Sequence, residues 1–258
     1  MTGPACPHVP DYRVDGLHAV SRHKEEEFSA LTLSADSLTQ LVCHHTPDGR
    51  HSYLLLHDAS AIWDVPGTAE YLALHLSRDT AAGTFTLEQE RHPVVPVAQN
   101  WLLKRGCPPK AIELTTPIGP RPADALTEKL ETRLRDNPKD RYQVIDHYTH
   151  NPGSFDEGIE VYTLVHDHAP ESANAPYRLF LEETSADMRS YTVREAAFTT
   201  TEAAEECMDA RDFPRDQADP TRQAGTQNAS TVLTVRPAGN QAIPAAQPQS
   251  ARHGRRAG

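Results

Sequence analysis

Cysteine is scarce and scattered: Cys6, Cys43, Cys107 and Cys207 form no C-x-x-C pair. That spacing excludes a zinc ribbon, a dithiol redox motif and a dense disulfide framework. No apolar run approaches the roughly 20 residues a membrane-spanning helix needs. The opening Met-Thr-Gly-Pro-Ala-Cys-Pro has no basic region followed by an apolar one, so no secretory signal is expected. Without secretion, the glycosylation acceptor Asn228-Ala-Ser230 carries no meaning. Catalytic signatures are missing as well: there is no G-x-S-x-G, no phosphate-cradling glycine loop and no H-E-x-x-H. These absences lead to the expectation of a cytoplasmic protein with no membrane partner and no cofactor.

Basic residues are few in the body of the chain. Up to Phe213 there are 34 Asp and Glu against 19 Lys and Arg, a balance of −15, whereas from Pro214 the balance is +4. An acidic body repels phosphates, which argues against nucleic acid as its partner. The basic tail, rich in Ala, Pro, Gln, Gly and Arg, has too few large apolar residues to fold and is expected to be disordered.

What is present is repetition. Tyr53-Leu-Leu-Leu-His-Asp58 is echoed by Tyr162-Thr-Leu-Val-His-Asp167, and Gln40-Leu-Val-Cys-His-His-Thr46 by Gln143-Val-Ile-Asp-His-Tyr-Thr149. Motifs in the same order about a hundred residues apart suggest a duplicated module. Alternating apolar positions, such as Leu72, Leu74 and Leu76, predict strands. In the first half these run over 38–46, 51–58, 71–77 and 84–90, and in the second over 142–149, 159–166, 177–184 and 190–197. A helix is the rival reading of 68–77, and 62–65 reads as a short extended piece. The Pro47-Asp48-Gly49 turn closes the first hairpin. Helices are expected after Pro96, with the stripe Val97, Ala98, Trp101 and Leu102, and over 123–135, with Leu126, Leu130 and Leu134. A capping box at Thr199-x-x-Glu202 starts a last helix.

The expected fold is therefore α+β. It comprises two tandem copies of a four-stranded antiparallel sheet followed by an α-helix, joined by a linker helix. The boundaries are 1–22 for a flexible arm, 23–109 and 141–213 for the modules, 110–140 for the linker and 214–258 for the tail. Modules this small should pack together, as one continuous sheet or about a pseudo-twofold axis, leaving a groove between them.

Hairpin register sharpens the candidate site. Aligning the turn and the motifs sets His44 against Tyr53, Gln40 against His57, His147 against Tyr162 and Gln143 against His166. Alternation then gathers these residues on one face of each sheet. His44, Tyr53, His57, His147, Tyr162 and His166 are accordingly the binding candidates, since imidazole and phenol suit both ligand binding and proton transfer. The competing reading is a satisfied polar patch that holds the sheet together. No metal is expected: His166-x-His168 is the best pair, yet a third ligand from Asp146 or Glu171 is not assured, and Ala59 stands where a second His168 would be. Carboxylates such as Asp58, Asp64, Glu182 and Glu183 could supply acid–base pairs, but sequence spacing does not give their separation. Trp63 could cap a groove, and Trp101 reads as core. The function expected is a tandem-module binding protein with a protein or small-molecule partner. The alternative is a small hydrolase, glycosidase-like or metal-assisted, using His and Asp or Glu of the repeated hairpins.

Overall fold

The period-two runs of the sequence are strands and its four-spaced leucine stripes are helices. The structure, a computed structural model, describes residues 10–61, 69–114, 119–152 and 157–214. The expected segment 62–65 with Trp63, the first nine residues and the tail from 215 lie outside the described residues. The first module runs β1 (His18–Ala19), α1 (Arg22–Leu33), β2 (Leu38–His45), β3 (His51–Asp58), β4 (Tyr71–Asp79), β5 (Thr84–His92) and α2 (Val95–Lys104). The second runs β6 (Arg121–Pro122), α3 (Ala125–Asp136), β7 (Tyr142–His150), β8 (Glu160–Asp167), β9 (Tyr177–Thr184), β10 (Ser190–Phe198) and α4 (Thr201–Ala210). No described helix is long and apolar enough to cross a membrane.

Each sheet has five strands where four were expected. The orders are β1-β5-β4-β3-β2 and β6-β10-β9-β8-β7, with β1 and β6 parallel to their neighbours and the rest antiparallel. A two-residue strand carries no periodicity, which is why both were missed. The linker helix is a second correction. The α3 helix packs Leu130 and Leu134 against Val165, Phe180 and Val193 of the second sheet, so it belongs to that module's core. Both modules thus read βαββββα. Nor is the described part of the N-terminal segment loose: Tyr12 is buried against the first sheet beside Phe28 and Phe85.

Local chemistry sets the helix starts. Ser21, Asp124 and Thr200 each accept a hydrogen bond from a backbone N–H of the first turn. The last cap is therefore Thr200, one residue past the expected Thr199. The α2 helix has no such side chain and opens on Pro96, whose missing N–H costs nothing there. Its stripe of Ala98, Trp101 and Leu102 covers Tyr53, Leu55 and Ala73, while α1 covers Leu54, Leu56, Leu74 and Leu76 on the opposite face. In the second module α4 lies over Tyr162, Leu164 and Leu179, opposite α3.

The modules meet through α2 and α3. Asn100 Nδ2 donates to the Arg135 carbonyl at 2.8 Å, and Lys104 pairs with Asp140 at 2.6 Å. The second-helix face of one module meets the first-helix face of the other. This is head-to-tail packing, neither the continuous sheet nor the pseudo-twofold stack expected, because a twofold would bring identical faces together.

Both first hairpins carry a β-bulge, at Leu41 and at Ile145. Each bulge adds one residue to its strand and shifts the register beyond it. His44 faces Tyr53 and Gln143 faces His166 as expected. The other two pairs are corrected: His57 faces Thr39 and not Gln40, and Tyr162 faces Tyr148 and not His147. His44 therefore corresponds in position to Tyr148, and His147 to Cys43.

Candidate functional site

The six sequence candidates do not form one site; they fall in five places. His44 and Tyr53 stack at 6.2 Å between ring centroids on the α2 face, and Tyr53 stacks in turn on His75 at 4.7 Å and 4°. The Tyr53 hydroxyl donates to the Arg105 carbonyl just past α2 at 3.0 Å, and burial pushes the phenol up. Tyr162 takes the same place under α4 and donates to Glu160 Oε2 at 3.1 Å; burial, then Glu160, raise its pKa. Glu160 lines a cleft of about 490 Å³ at that end of the second sheet, together with Glu183, Ser185 and Arg211. His166 is half-buried, with its Nδ1 3.2 Å from that of His168, which reaches Gln143 Oε1 at 3.3 Å.

His57 stands at the module contact. Its Nε2 is 3.6 Å from Glu70 Oε2, too far for a hydrogen bond, and its ring lies 5.6 Å from that of Tyr71. Glu70, Glu131 and Glu182 gather here with Tyr71 and Tyr191. The Tyr191 hydroxyl donates to Glu131. Burial first, then the charges of Glu131 and Glu70, push Glu182 up to about 8, so it is a neutral acid at pH 7. Sequence reasoning named Glu182 without a reason to select it, and only the packing of α3 supplies one.

His147 occupies the most distinctive place. It lines a cleft of about 480 Å³ beside the α2–α3 contact, facing His92 at the end of β5 together with Asn100, Trp101, Tyr142 and Gln143. Val97 and Val144 give it apolar wall. The Trp101 indole donates to Glu90 Oε2 at 2.6 Å, and the Arg105 guanidinium lies 3.3 Å over its ring, so Trp101 is fixed on both edge and face. His92 is 5 % exposed. Burial, then the charges of Arg105 and His147, bring its imidazole down to about 4, and burial also lowers His147. Both rings are neutral at pH 7.

Three lining residues carry a buried polar atom with no hydrogen-bond partner: Nε2 of His92, Nδ1 of His147 and the hydroxyl of Tyr142. An unpaired buried polar atom costs about 1–3 kcal/mol. The residues that carry these atoms line one cleft, and each of the three atoms is itself shielded from solvent. Sequence reasoning found only His147 here. His92 and Tyr142 had no signal, since neither lies in a repeated position of the motifs.

Among the described residues no group of three or more His, Cys, Asp or Glu is arranged to hold a metal ion. No family model matches the chain, and neither does any curated protein or solved structure.

Proposed function

We propose that the chain is a tandem-module binding protein, built by duplication of a βαββββα unit, that takes an uncharged, hydrogen-bonding small molecule in the cleft between its modules. The three unpaired buried atoms of His92, Tyr142 and His147 carry this reading. Two neutral imidazoles and a phenol offer both donors and acceptors, and the valines supply apolar wall. Among the described residues the rim offers no free cation to an anionic ligand: Lys104 is paired with Asp140 and Arg91 with Asp58, while the Glu90 carboxylate accepts from the neutral Trp101 indole. Duplication is supported by the identical element order of the halves. The hydrolase alternative has less behind it, because His57 and Glu70 stand beyond hydrogen-bond reach.

The test is a panel of nucleosides, monosaccharides and aromatic amides, read by the imidazole ¹⁵N shifts of His92 and His147. At least one uncharged member should move both rings and be displaced by Val97→Trp, which fills the cleft. If no member binds, or if binding leaves both rings unmoved or survives that substitution, the reading is wrong.

A further inference from the structure

The α1 face of the first sheet carries a second arrangement, remote from the cleft in its chemistry. Cys43 and His45 are two residues apart on the edge strand β2, so their side chains share that face. Cys43 Sγ lies 3.1 Å from His45 Nε2, and His45 Nδ1 lies 2.6 Å from Ser52 Oγ. Arg78, buried on β4, donates to Ser52 Oγ at 2.6 Å. Its other donors go to the carbonyls of Tyr12, Arg13 and Gly49, which lock the guanidinium in place. The order is nucleophile, base, orienting hydroxyl and an anchor for that hydroxyl.

The fold does not demand this relay. The second module has the same strands, with His147, Thr149, Val161 and Thr184 at the four positions. The groups acting on His45 are Arg13 and Asp11 of the N-terminal segment, Arg78 of β4 and His44 of its own strand. Burial, then Arg13, lower the imidazole, leaving it neutral and able to accept a proton at pH 7. Of the other described thiols, burial pushes Cys107 up to about 12 and also raises Cys207.

We propose that Cys43 is a reactive thiol that forms a mixed disulfide with a small disulfide of the oxidised-glutathione class. The thiol proton passes to His45 Nε2. The Cys43 thiolate attacks one sulfur of the small disulfide, a new S–S bond forms and the old one breaks. The departing thiolate takes the proton back from His45, so Cys43 is oxidised as the second half of the disulfide is reduced.

The experiment treats the full chain with oxidised glutathione and measures each cysteine on its own peptide by mass spectrometry. At pH 7 Cys43 should react at least about tenfold faster than Cys207, the gain expected when a thiol is held largely as thiolate. His45→Gln should slow Cys43 about tenfold and move its pH–rate inflection upward, leaving Cys207 unchanged. Ser52→Ala, which loosens the ring without removing the base, should fall between. Equal rates at Cys43 and Cys207, or a Cys43 rate indifferent to both substitutions in folded protein, would overturn the proposal.

Discussion

Arg141 holds Asp167 through two parallel hydrogen bonds, Nε to Oδ1 and Nη2 to Oδ2, each 2.7 Å long. Ser172 adds a third at 2.6 Å, and Asp167 is 2 % exposed. Asp58 ends the corresponding strand of the first module, held by Arg91 at 2.6 Å and by Ser60 at 2.6 Å. The repeated His-Asp ending thus supplies one buried, arginine-bound carboxylate to each module. Removing a partner of a buried pair strands the other charge, so Asp167→Ala should cost about 3–5 kcal/mol in urea unfolding. A loss below about 1 kcal/mol would show that the pair contributes little.

The same carboxylates set the acid limit. Burial pushes the Asp58 carboxyl up, but the hydrogen bonds from Ser60 and Arg91 outweigh it and bring it down to about 2. Unfolded, it titrates near its ordinary 3.8. A depressed folded pKa means stability is present above that ordinary value and is lost as pH falls toward 2. Asp58 should therefore contribute about 2–3 kcal/mol that disappears across this window. Asp58→Asn should be less stable at pH 7 and flatter in acid, measured by thermal unfolding at half-unit pH steps.

His92 acts over a higher window. Its folded imidazole titrates near 4 and its ordinary value is 6.5, so the unfolded state takes up the proton first as pH falls. Stability is present above about 6.5 and declines toward 4, by at most about 3 kcal/mol. His92→Gln should remove this contribution, and a stability difference between wild type and His92→Gln that stays constant from pH 6.5 to 4 would contradict it. A ligand that pairs with Nε2 of the neutral ring should bind unchanged well below pH 6.5 and weaken only as pH falls to about 4, where the folded imidazole takes up its proton.

Much of this architecture was legible in the sequence, and the reasons differ element by element. Leu72, Leu74 and Leu76 announced a strand because alternation reports directly which face is buried. Pro47 and Gly49, with Gly49 at φ 69°, marked the first hairpin turn. Register was legible only up to the bulges, since neither Leu41 nor Ile145 differs in type from an ordinary strand residue. The echo of Gln40–Thr46 in Gln143–Thr149 misled separately: its identities fall one position away from structural equivalence on both sides of the bulge. The cleft was foreseen as a groove, but His92 and Tyr142 reach it through head-to-tail packing of α2 and α3, which no local pattern encodes.

Glu182 offers a prediction of opposite sign. Its folded carboxyl titrates near 8 against an ordinary 4.5, so the unfolded chain releases its proton first as pH rises. Stability contributed by the neutral acid is present below about 4.5 and lost on the way to 8. Glu182→Gln keeps the shape and removes the titration, and should be more stable than wild type at pH 8 by about 1–3 kcal/mol. Equal stability at pH 8 would mean that the carboxylate is solvated at no cost.

The two bulges test how far the modules have diverged beneath a shared topology. Leu41 is 8 % exposed and packs with Val42, Leu55 and Trp101 in the core under α2, whereas Ile145 is 42 % exposed. The backbone irregularity is the same, but only the first bulge contributes a side chain to a core. Leu41→Ala should then cost about 2–3 kcal/mol, through lost burial and the cavity left behind. Ile145→Ala should stay within about 0.5 kcal/mol of wild type, as surface substitutions do. Urea titrations of both variants decide it. A comparable cost at Ile145 would mean that a partner or a second copy of the chain covers that side of β7 in solution.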